Sequence, residues 1–244
     1  MKKIGVLQPV YNVDRFVAKS IESILEQTFK DFLYVIVDDG STDNTLNVVK
    51  EYEKKDDRMV VLSKEHSGLV DSLNEGLSYL ADKCEFIARM DGDDFCERDR
   101  FEKQLDFLEK NDLKFCSTWM RRYDKKENNY ENFCPRFESP SDFKEAMLKM
   151  NFVVHGSVMF SSEIVKEIGL YPDEIVEDYN YWMAILNKFD GNVLPEYLYH
   201  LNDRDGSYTD EKGNLIYNEA KKCRFFWSNY WNIDIPTKEY NYKE

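Results

Sequence analysis

From Ile4 to Thr118 short apolar runs alternate with amphipathic ones, and no other feature limits the possible folds so sharply. Strand-like runs stand at Ile4 to Gln8, Phe32 to Val37, Met59 to Leu62, Phe86 to Met90 and Lys114 to Thr118. Between them, residues spaced by three or four form helical stripes. Phe16, Val17, Ile21, Ile24 and Leu25 make one stripe, Leu69, Leu73, Leu77 and Leu80 a second, and Phe101, Leu105 and Leu108 a third. Strands that alternate with helices through short joins predict an α/β fold, a mostly parallel central sheet with helices on both faces.

The second half is less regular. Tyr123 to Pro140 is polar and carries Asn128-Asn129 and two prolines, so it reads as a long surface loop of the kind that often forms a lid or binding loop. A helix (Ser141 to Met150), an apolar strand (Ser157 to Phe160), a helix from Glu177 and a late strand (Val193 to Leu201) follow. The stretch Asn218 to Trp231 mixes Lys221, Lys222 and Arg224 with Phe225, Phe226, Trp227, Tyr230 and Trp231.

Charge and composition exclude several function classes. A chain of 244 residues with a formal net charge of −14 is no general nucleic-acid binder, which needs a basic footprint. A nucleotide whose phosphates arrive with a divalent cation stays open. No apolar run approaches the roughly 20 residues that span a bilayer. Met1-Lys2-Lys3-Ile4-Gly5-Val6-Leu7 is cut short by Gln8-Pro9, so it reads as a strand and not a signal peptide. The five cysteines are odd in number and lack a Cys-x-x-Cys pair, which predicts reduced thiols in a cytoplasmic protein. The three histidines have no zinc-site spacing to them.

Three segments fall at the carboxyl ends of strands, where ligands bind in open α/β sheets. They are Gln8-Pro9-Val10-Tyr11-Asn12, Val37-Asp38-Asp39-Gly40-Ser41 and Asp91-Gly92-Asp93-Asp94. If the last is extended, Asp91 and Asp93 point the same way and give two hard oxygen ligands suited to Mg²⁺ or Mn²⁺. A solvated acidic turn is the plain alternative. A nucleoside diphosphate fits such a crevice. Val10 and Tyr11 pack on its base, Asp39 accepts the imide N–H, and a metal on Asp93 takes the pyrophosphate.

These residues carry a resemblance. The chain resembles the family-2 glycosyltransferases of the GT-A fold, inverting enzymes that use nucleotide-sugar donors. The match runs through Pro9-Val10-Tyr11-Asn12, Ser23-Ile24-Leu25 with Gln27-Thr28-Phe29, and Val37 to Asp43. It continues through Ser67-Gly68-Leu69, Leu73 to Leu77 (with Asn74), Phe86 to Asp94 (with Arg89 and Gly92), and Arg100-Phe101 with Gln104. A second block, His155 to Met159 and Glu177-Asp178-Tyr179 with Trp182, resembles the acceptor half.

The resemblance implies a UDP-sugar donor, Mn²⁺ or Mg²⁺, and a glycan or lipid-linked acceptor. It divides the chain into a nucleotide-sugar-binding half (1–115), an acceptor-binding half (116–205) and an aromatic tail (206–244). Asp39 would contact the uracil, Asp91 the ribose or the metal, and Asp93 the metal. Pro9, Val10, Tyr11, Gly68, Asn74, Arg89 and Gly92 would line the donor site. Asp178 would be the general base.

In a helix beginning at Glu177, Asp178 shares a face with Trp182 and Ile185, whereas Glu177 lies about 100° away with Tyr181 and Lys188. Both acids also suit a helix N-terminus. His66 is a loop or phosphate-facing histidine, and His155 an acceptor-site or structural one. Arg89 and Arg100 pair with phosphate or, the favoured reading, within the acidic cluster.

The chain departs from the family pattern at Ala184, at Tyr199-His200-Leu201 and at Glu97-Arg98-Asp99, and it lacks the Gln-x-x-Arg-Trp of processive synthases. A transferase adding a single sugar follows, working in the cytoplasm or at the inner face of a membrane touched by the tail. For the tail itself, packing of Phe225, Phe226 and Trp227 against the body or a second copy is the favoured reading and membrane contact the alternative. A non-catalytic glycan-binding relative and a nucleotidyltransferase are the competing functions.

Overall fold

The computed structural model describes residues 1–124, 129–202 and 208–233. The first half runs β1 (Lys2–Val10), α1 (Val17–Leu25), β2 (Phe32–Asp38), α2 (Thr45–Glu53), β3 (Met59–Ser63), α3 (Leu69–Leu80), β4 (Cys84–Arg89), β5 (Phe95–Cys96) and α4 (Arg100–Lys110). Then come β6 (Phe115–Asp124), β7 (Asn129–Phe133), α5 (Pro140–Met147), a 3₁₀ turn (His155–Ser157), β8 (Met159–Ser161), α6 (Glu163–Ile168), α7 (Glu177–Lys188), β9 (Gly191–Asn202) and α8 (Tyr208–Trp231).

The strands form one sheet in the order β3-β2-β1-β4-β8-β6-β9-β5, with β7 on β6. β3, β2, β1 and β4 are parallel neighbours, and β6 is parallel to β9. β8 sits antiparallel between β4 and β6 and joins the halves. The fold is α/β with a mostly parallel sheet. Chain order reverses between β1 and β4, so the crevice expected at such a switch point opens at their carboxyl ends.

Alternate strand residues go to opposite faces, and both faces are covered. Leu7, Val35 and Val37 are buried under α3, α5 and α7 with Leu73, Leu77, Phe143 and Trp182. Val6, Tyr34 and Ile36 are buried on the other face with Ile21, Ile24, Phe101 and Leu105. The helical stripes hold, except that Leu69, first in α3, is exposed.

Two expectations change. The segment from Tyr123 to Pro140 is not all loop. β6 continues to Asp124 and pairs antiparallel with β7, supported by the Tyr123–Tyr130 rings at 5.2 Å and Arg122 Nε to Glu131 Oε2 at 3.3 Å. On the other edge of β6, Thr118 faces Leu194 but Trp119 faces Tyr197. Pro195, which has no N–H to give the ladder, lies in this bulge. The helix expected at Ser141 begins at Pro140, capped by the Ser139 hydroxyl accepting from Asp142 N at 3.1 Å.

Candidate active site

At the ends of β1 and β2 the side chains tie two turns together. Asn12, with φ of 50°, accepts at Oδ1 from the N–H groups of Thr42 (2.8 Å) and Asp43 (3.3 Å). Its own N–H donates to Ser41 Oγ at 3.1 Å. Gly40 takes a φ of 69°, and a Cβ there would stand 2.7 Å from the His66 nitrogen, so only glycine lets this turn touch the β3–α3 loop.

That contact builds a cradle around Asp39. Its oxygens accept from the backbone N–H groups of Ser67 (3.0 Å) and Gly68 (2.9 Å), while Lys64 Nζ (2.6 Å) and His66 Nδ1 (2.8 Å) pair with it. Burial raises the Asp39 pKa, but the Lys64 and backbone hydrogen bonds outweigh it and hold the carboxyl below its usual range. Pro9 and Val10 are buried, so neither presents a surface to a ligand. Tyr11 does, with 39% exposure, and its ring stacks on His66 at 4.2 Å and 18°.

Across the switch point, Gln8 is buried and donates from Nε2 to the Asp91 carbonyl (2.8 Å) and Ser20 Oγ (2.6 Å), which fixes the end of β4 against β1. β4 stops at Arg89, and Gly92-Asp93 is a turn, so strand alternation does not align Asp91 with Asp93. Gly92 packs closely, since a Cβ there would meet Val10 Cγ1 at 3.0 Å and Val13 Cγ2 at 3.1 Å.

Asp91 pairs through Oδ1 with Arg89 Nη2 at 2.9 Å. Arg89 is 1% exposed and its Nε has no partner, so it supports the acid from beneath instead of facing solvent. Its charge overrides burial and keeps the Asp91 carboxyl low. Arg100, expected among the acids, instead donates to the carbonyls of Arg89 (2.8 Å) and Val158 (3.3 Å).

Tyr199 of β9 was not singled out from the sequence as a site residue. Its hydroxyl lies 2.6 Å from Asp94 Oδ2 and 3.2 Å from Asp91 Oδ2. Asp94 also accepts from Asn202 N at 2.8 Å. Burial, then the charges of Asp91 and Asp93, push the Asp94 carboxyl well above its usual range. A protonated Asp94 can donate to Tyr199, leaving the Tyr199 proton for Asp91. His200 turns the other way, stacking on Phe95 at 4.5 Å with Nε2 on Glu97 at 2.7 Å.

The α7 terminus carries two further acids. Asp178 accepts from Tyr179 N (2.6 Å) and Asn151 Nδ2 (3.2 Å). Burial raises its pKa; Arg89 opposes this and Asp91 adds to it, so the acid lies within electrostatic reach of the β4 end. Glu177 is not on an open face. Tyr181, one turn on, is buried, and Glu177 is 7% exposed with its pKa pushed by burial and by Asp178 to about 8.

His155 contacts the Tyr171 hydroxyl at 3.2 Å and is held neutral, its pKa lowered to about 3 by burial and Arg89. Asn74 uses both ends of its amide on the Tyr171 backbone, at 2.9 and 3.0 Å, so it anchors the loop before α7.

Among the described residues no three His, Cys, Asp or Glu side chains converge as a ready cation site. Asp91 and Asp93 are the acids at the β4 end that could hold a cation whose shell substrate oxygens complete.

Residues 6–169 match the family model described as Glycosyl transferase family 2. The chain belongs to this family. It is 31% identical over 226 residues to the O-antigen biosynthesis glycosyltransferase WbnJ of Escherichia coli, covering 89% of this chain and 85% of the relative. Among solved structures, S. aureus TarS 1-349 in complex with UDP-GlcNAc superposes with a TM-score of 0.76 at 20% identity, over 96% of this chain and 68% of that one. The mannosyltransferase PcManGT of Pyrobaculum calidifontis, in complex with GDP-Man and Mn²⁺, gives 0.70 at 17% identity, over 96% and 66%. These likenesses fix the GT-A fold.

Proposed function

We propose that this family-2 transferase moves one sugar from a UDP-sugar to a hydroxyl of a glycan or lipid-linked acceptor, with a divalent cation and inversion at the anomeric carbon. The reading is carried by the Asp39 cradle and the Arg89–Asp91 pair, acids held at the carboxyl ends of the two strands that flank β1 in a family-2 fold, with Asp178 within electrostatic reach of that pair. The O-antigen relative supports a surface-glycan acceptor, TarS a UDP-sugar, and the Mn²⁺ complex a cation.

In this reading the Asp39 cradle and Tyr11 hold the base, and Asp91 and Asp93 hold the cation. When bound, the cation offsets charge on the departing diphosphate. Asp178 takes the acceptor hydroxyl's proton as that oxygen bonds to the anomeric carbon. The bond from that carbon to the β-phosphate oxygen breaks, and its electron pair leaves with UDP. The raised Asp178 pKa suits a base that must accept a proton.

The test is a screen of UDP-sugars for Mn²⁺-dependent UDP release. Asp93→Asn should abolish cation-dependent donor binding, and Asp178→Asn should retain binding while losing about 10²- to 10⁴-fold in transfer. Near-normal transfer by Asp178→Asn would remove the base assignment. Donor binding without UDP release, whatever the acceptor, would favour a binding module.

A further inference from the structure

The strand order ranks the parts of the site along one edge of the sheet. The Asp39 cradle stands at the end of β2, Asp91 and Asp93 follow β4, and β8, β6 and β9 continue beyond them. β6 is antiparallel to β8, which is antiparallel to β4, so β6 ends at the same edge as β4. Ala88 and Cys116 both pair with Met159, which puts Ser117 level with Arg89, the last residue of β4. β6 goes on to Asp124, so Trp119 and Arg121 stand about 7 and 13 Å past that level and two strand spacings, about 10 Å, to the side. With β7 and β9, this end of β6 forms a wall on the side of the acids away from the Asp39 cradle.

One face of the wall lies on the side of the sheet where α7 packs. Trp119 packs against the core around Trp182 of α7, whereas Met120 goes to the opposite face. The bulge in β9 sets Tyr197 opposite Trp119 and Tyr199 opposite Met120, so two tyrosines that would share a face of a regular strand turn apart. Tyr197 thereby joins Trp119, with ring centres 5.1 Å apart. Arg121 lies over the Tyr197 ring at 4.7 Å, and Arg136 over the Trp119 ring at 5.7 Å. Trp119 Nε1 donates to the Pro135 carbonyl at 2.6 Å, which holds the Arg136 segment against β6. From that segment Phe137 reaches Phe152 at 5.3 Å, and the neighbouring Asn151 donates to Asp178 at 3.2 Å.

We propose that this wall binds the acceptor through an anionic group on its sugar, a phosphate or a carboxylate, held by Arg121 and Arg136. The inference rests on the transferase reading and gives the charge of its acceptor. Both arginines are exposed, and among the described residues neither pairs with a carboxylate, although the chain carries a net charge of −14. A neutral glycan is met by amides and hydroxyls; two arginines left without acids complement an anion. A guanidinium stacked on a ring keeps its edge N–H groups for a bidentate oxyanion. The half-buried Trp119 and Tyr197 rings beside them offer an apolar surface to the C–H face of the sugar.

The experiment titrates two pairs of probes against the full chain in EDTA, where no added cation draws phosphate to Asp91 and Asp93. The pairs are N-acetylglucosamine 1-phosphate with N-acetylglucosamine, and trigalacturonate with maltotriose, read by calorimetry and ligand-observed NMR. The anionic member of at least one pair should bind at least tenfold more tightly than its neutral counterpart, and which pair responds separates phosphate from carboxylate. Arg121→Gln and Arg136→Gln should each weaken that binding about tenfold, the scale of a hydrogen-bonded contact to a charged group. Arg122→Gln is the control. It removes the same charge from the opposite face of β6, where Arg122 pairs with Glu131 at 3.3 Å, and should change nothing.

Equal binding of anionic and neutral probes, or equal loss in Arg122→Gln, overturns the assignment. So does a fall in UDP affinity with Mn²⁺ in Arg121→Gln or Arg136→Gln, which would make them donor residues. UDP binding and release separate the two readings. If UDP binds and is released but no anionic probe is preferred, only the acceptor wall fails. If the preference depends on Arg121 and Arg136 while UDP neither binds nor is released, only the transferase reading fails.

Discussion

A single missing side chain shapes the acid cluster. At Gly156 a Cβ would collide with the Tyr199 hydroxyl and lie 2.5 Å from Asp91 Oδ2. Gly156→Ala should therefore displace Tyr199 and Asp91, costing about 1–3 kcal/mol as overpacking does, and should weaken UDP binding with it. Urea denaturation and calorimetric UDP titration check both; normal values would mean that the strand end yields freely. Glu177 gives a prediction in pH. It ionises near 4.5 when unfolded and at about 8 when folded, so within that window the folded chain holds the extra proton and stability falls as pH rises. The slope reaches at most about 1.4 kcal/mol per pH unit for this group, and the raised Asp178 and Asp94 act in the same direction. Glu177→Gln should flatten the fall in urea midpoint between about pH 5 and 8. An unaltered profile would show that Glu177 does not hold a proton across that range.

Among the elements, α8 is held to the body by its tryptophans. Trp227 is buried against Asn180, and Trp231 Nε1 donates to Asn187 Oδ1 at 3.0 Å, so both bind α8 to α7. Of the three tail aromatics expected to pack on the body or on a second copy, Trp227 is buried on the body, while Phe225 and Phe226 stay exposed, as does Tyr230. Trp227→Ala should cost about 3–5 kcal/mol and open α8 to proteases, read by urea unfolding and limited proteolysis; an intact, equally stable α8 would assign its docking to Trp231 and Arg224. Elements were legible where an apolar run is short and unbroken, as in β1 and β2, or where one period dominates, as in the stripes of α1 and α4. β7 was not legible, because Asn129 to Glu131 are exposed on both sides and leave no alternation to read. In the site, the carboxylates Asp39, Asp91 and Asp178 could be picked out because acids end strands and start a helix. The groups around them were less legible. Gly68 and Arg89 came only with the resemblance, Ser67 acts through a backbone N–H that no side-chain pattern marks, and Tyr199 reaches Asp91 across 108 residues of sequence. Lys64 and His66 did carry a signal, being polar residues just past the carboxyl end of β3.

At the scale of the whole molecule, charge sets a condition on donor binding. The chain carries a net charge of −14, and the cations at the crevice are already engaged, Arg89 by Asp91 and Lys64 by Asp39. A diphosphate approaching Asp91 and Asp93 thus meets like charge, and only an added cation reverses the sign. Chelation with EDTA should lower UDP affinity at least tenfold, about 1.4 kcal/mol. Monovalent salt then gives a sharper test. Where lysines and arginines hold the phosphates, salt weakens binding; here repulsion dominates once the cation is gone, and salt screens repulsion. UDP should therefore bind the EDTA-treated protein more tightly as ionic strength rises from about 0.02 to 0.2 M, across which the screening length shortens to under about 10 Å. Affinity that is unaffected by EDTA and falls with salt would place the diphosphate on protein cations, and would remove Asp91 and Asp93 from its recognition.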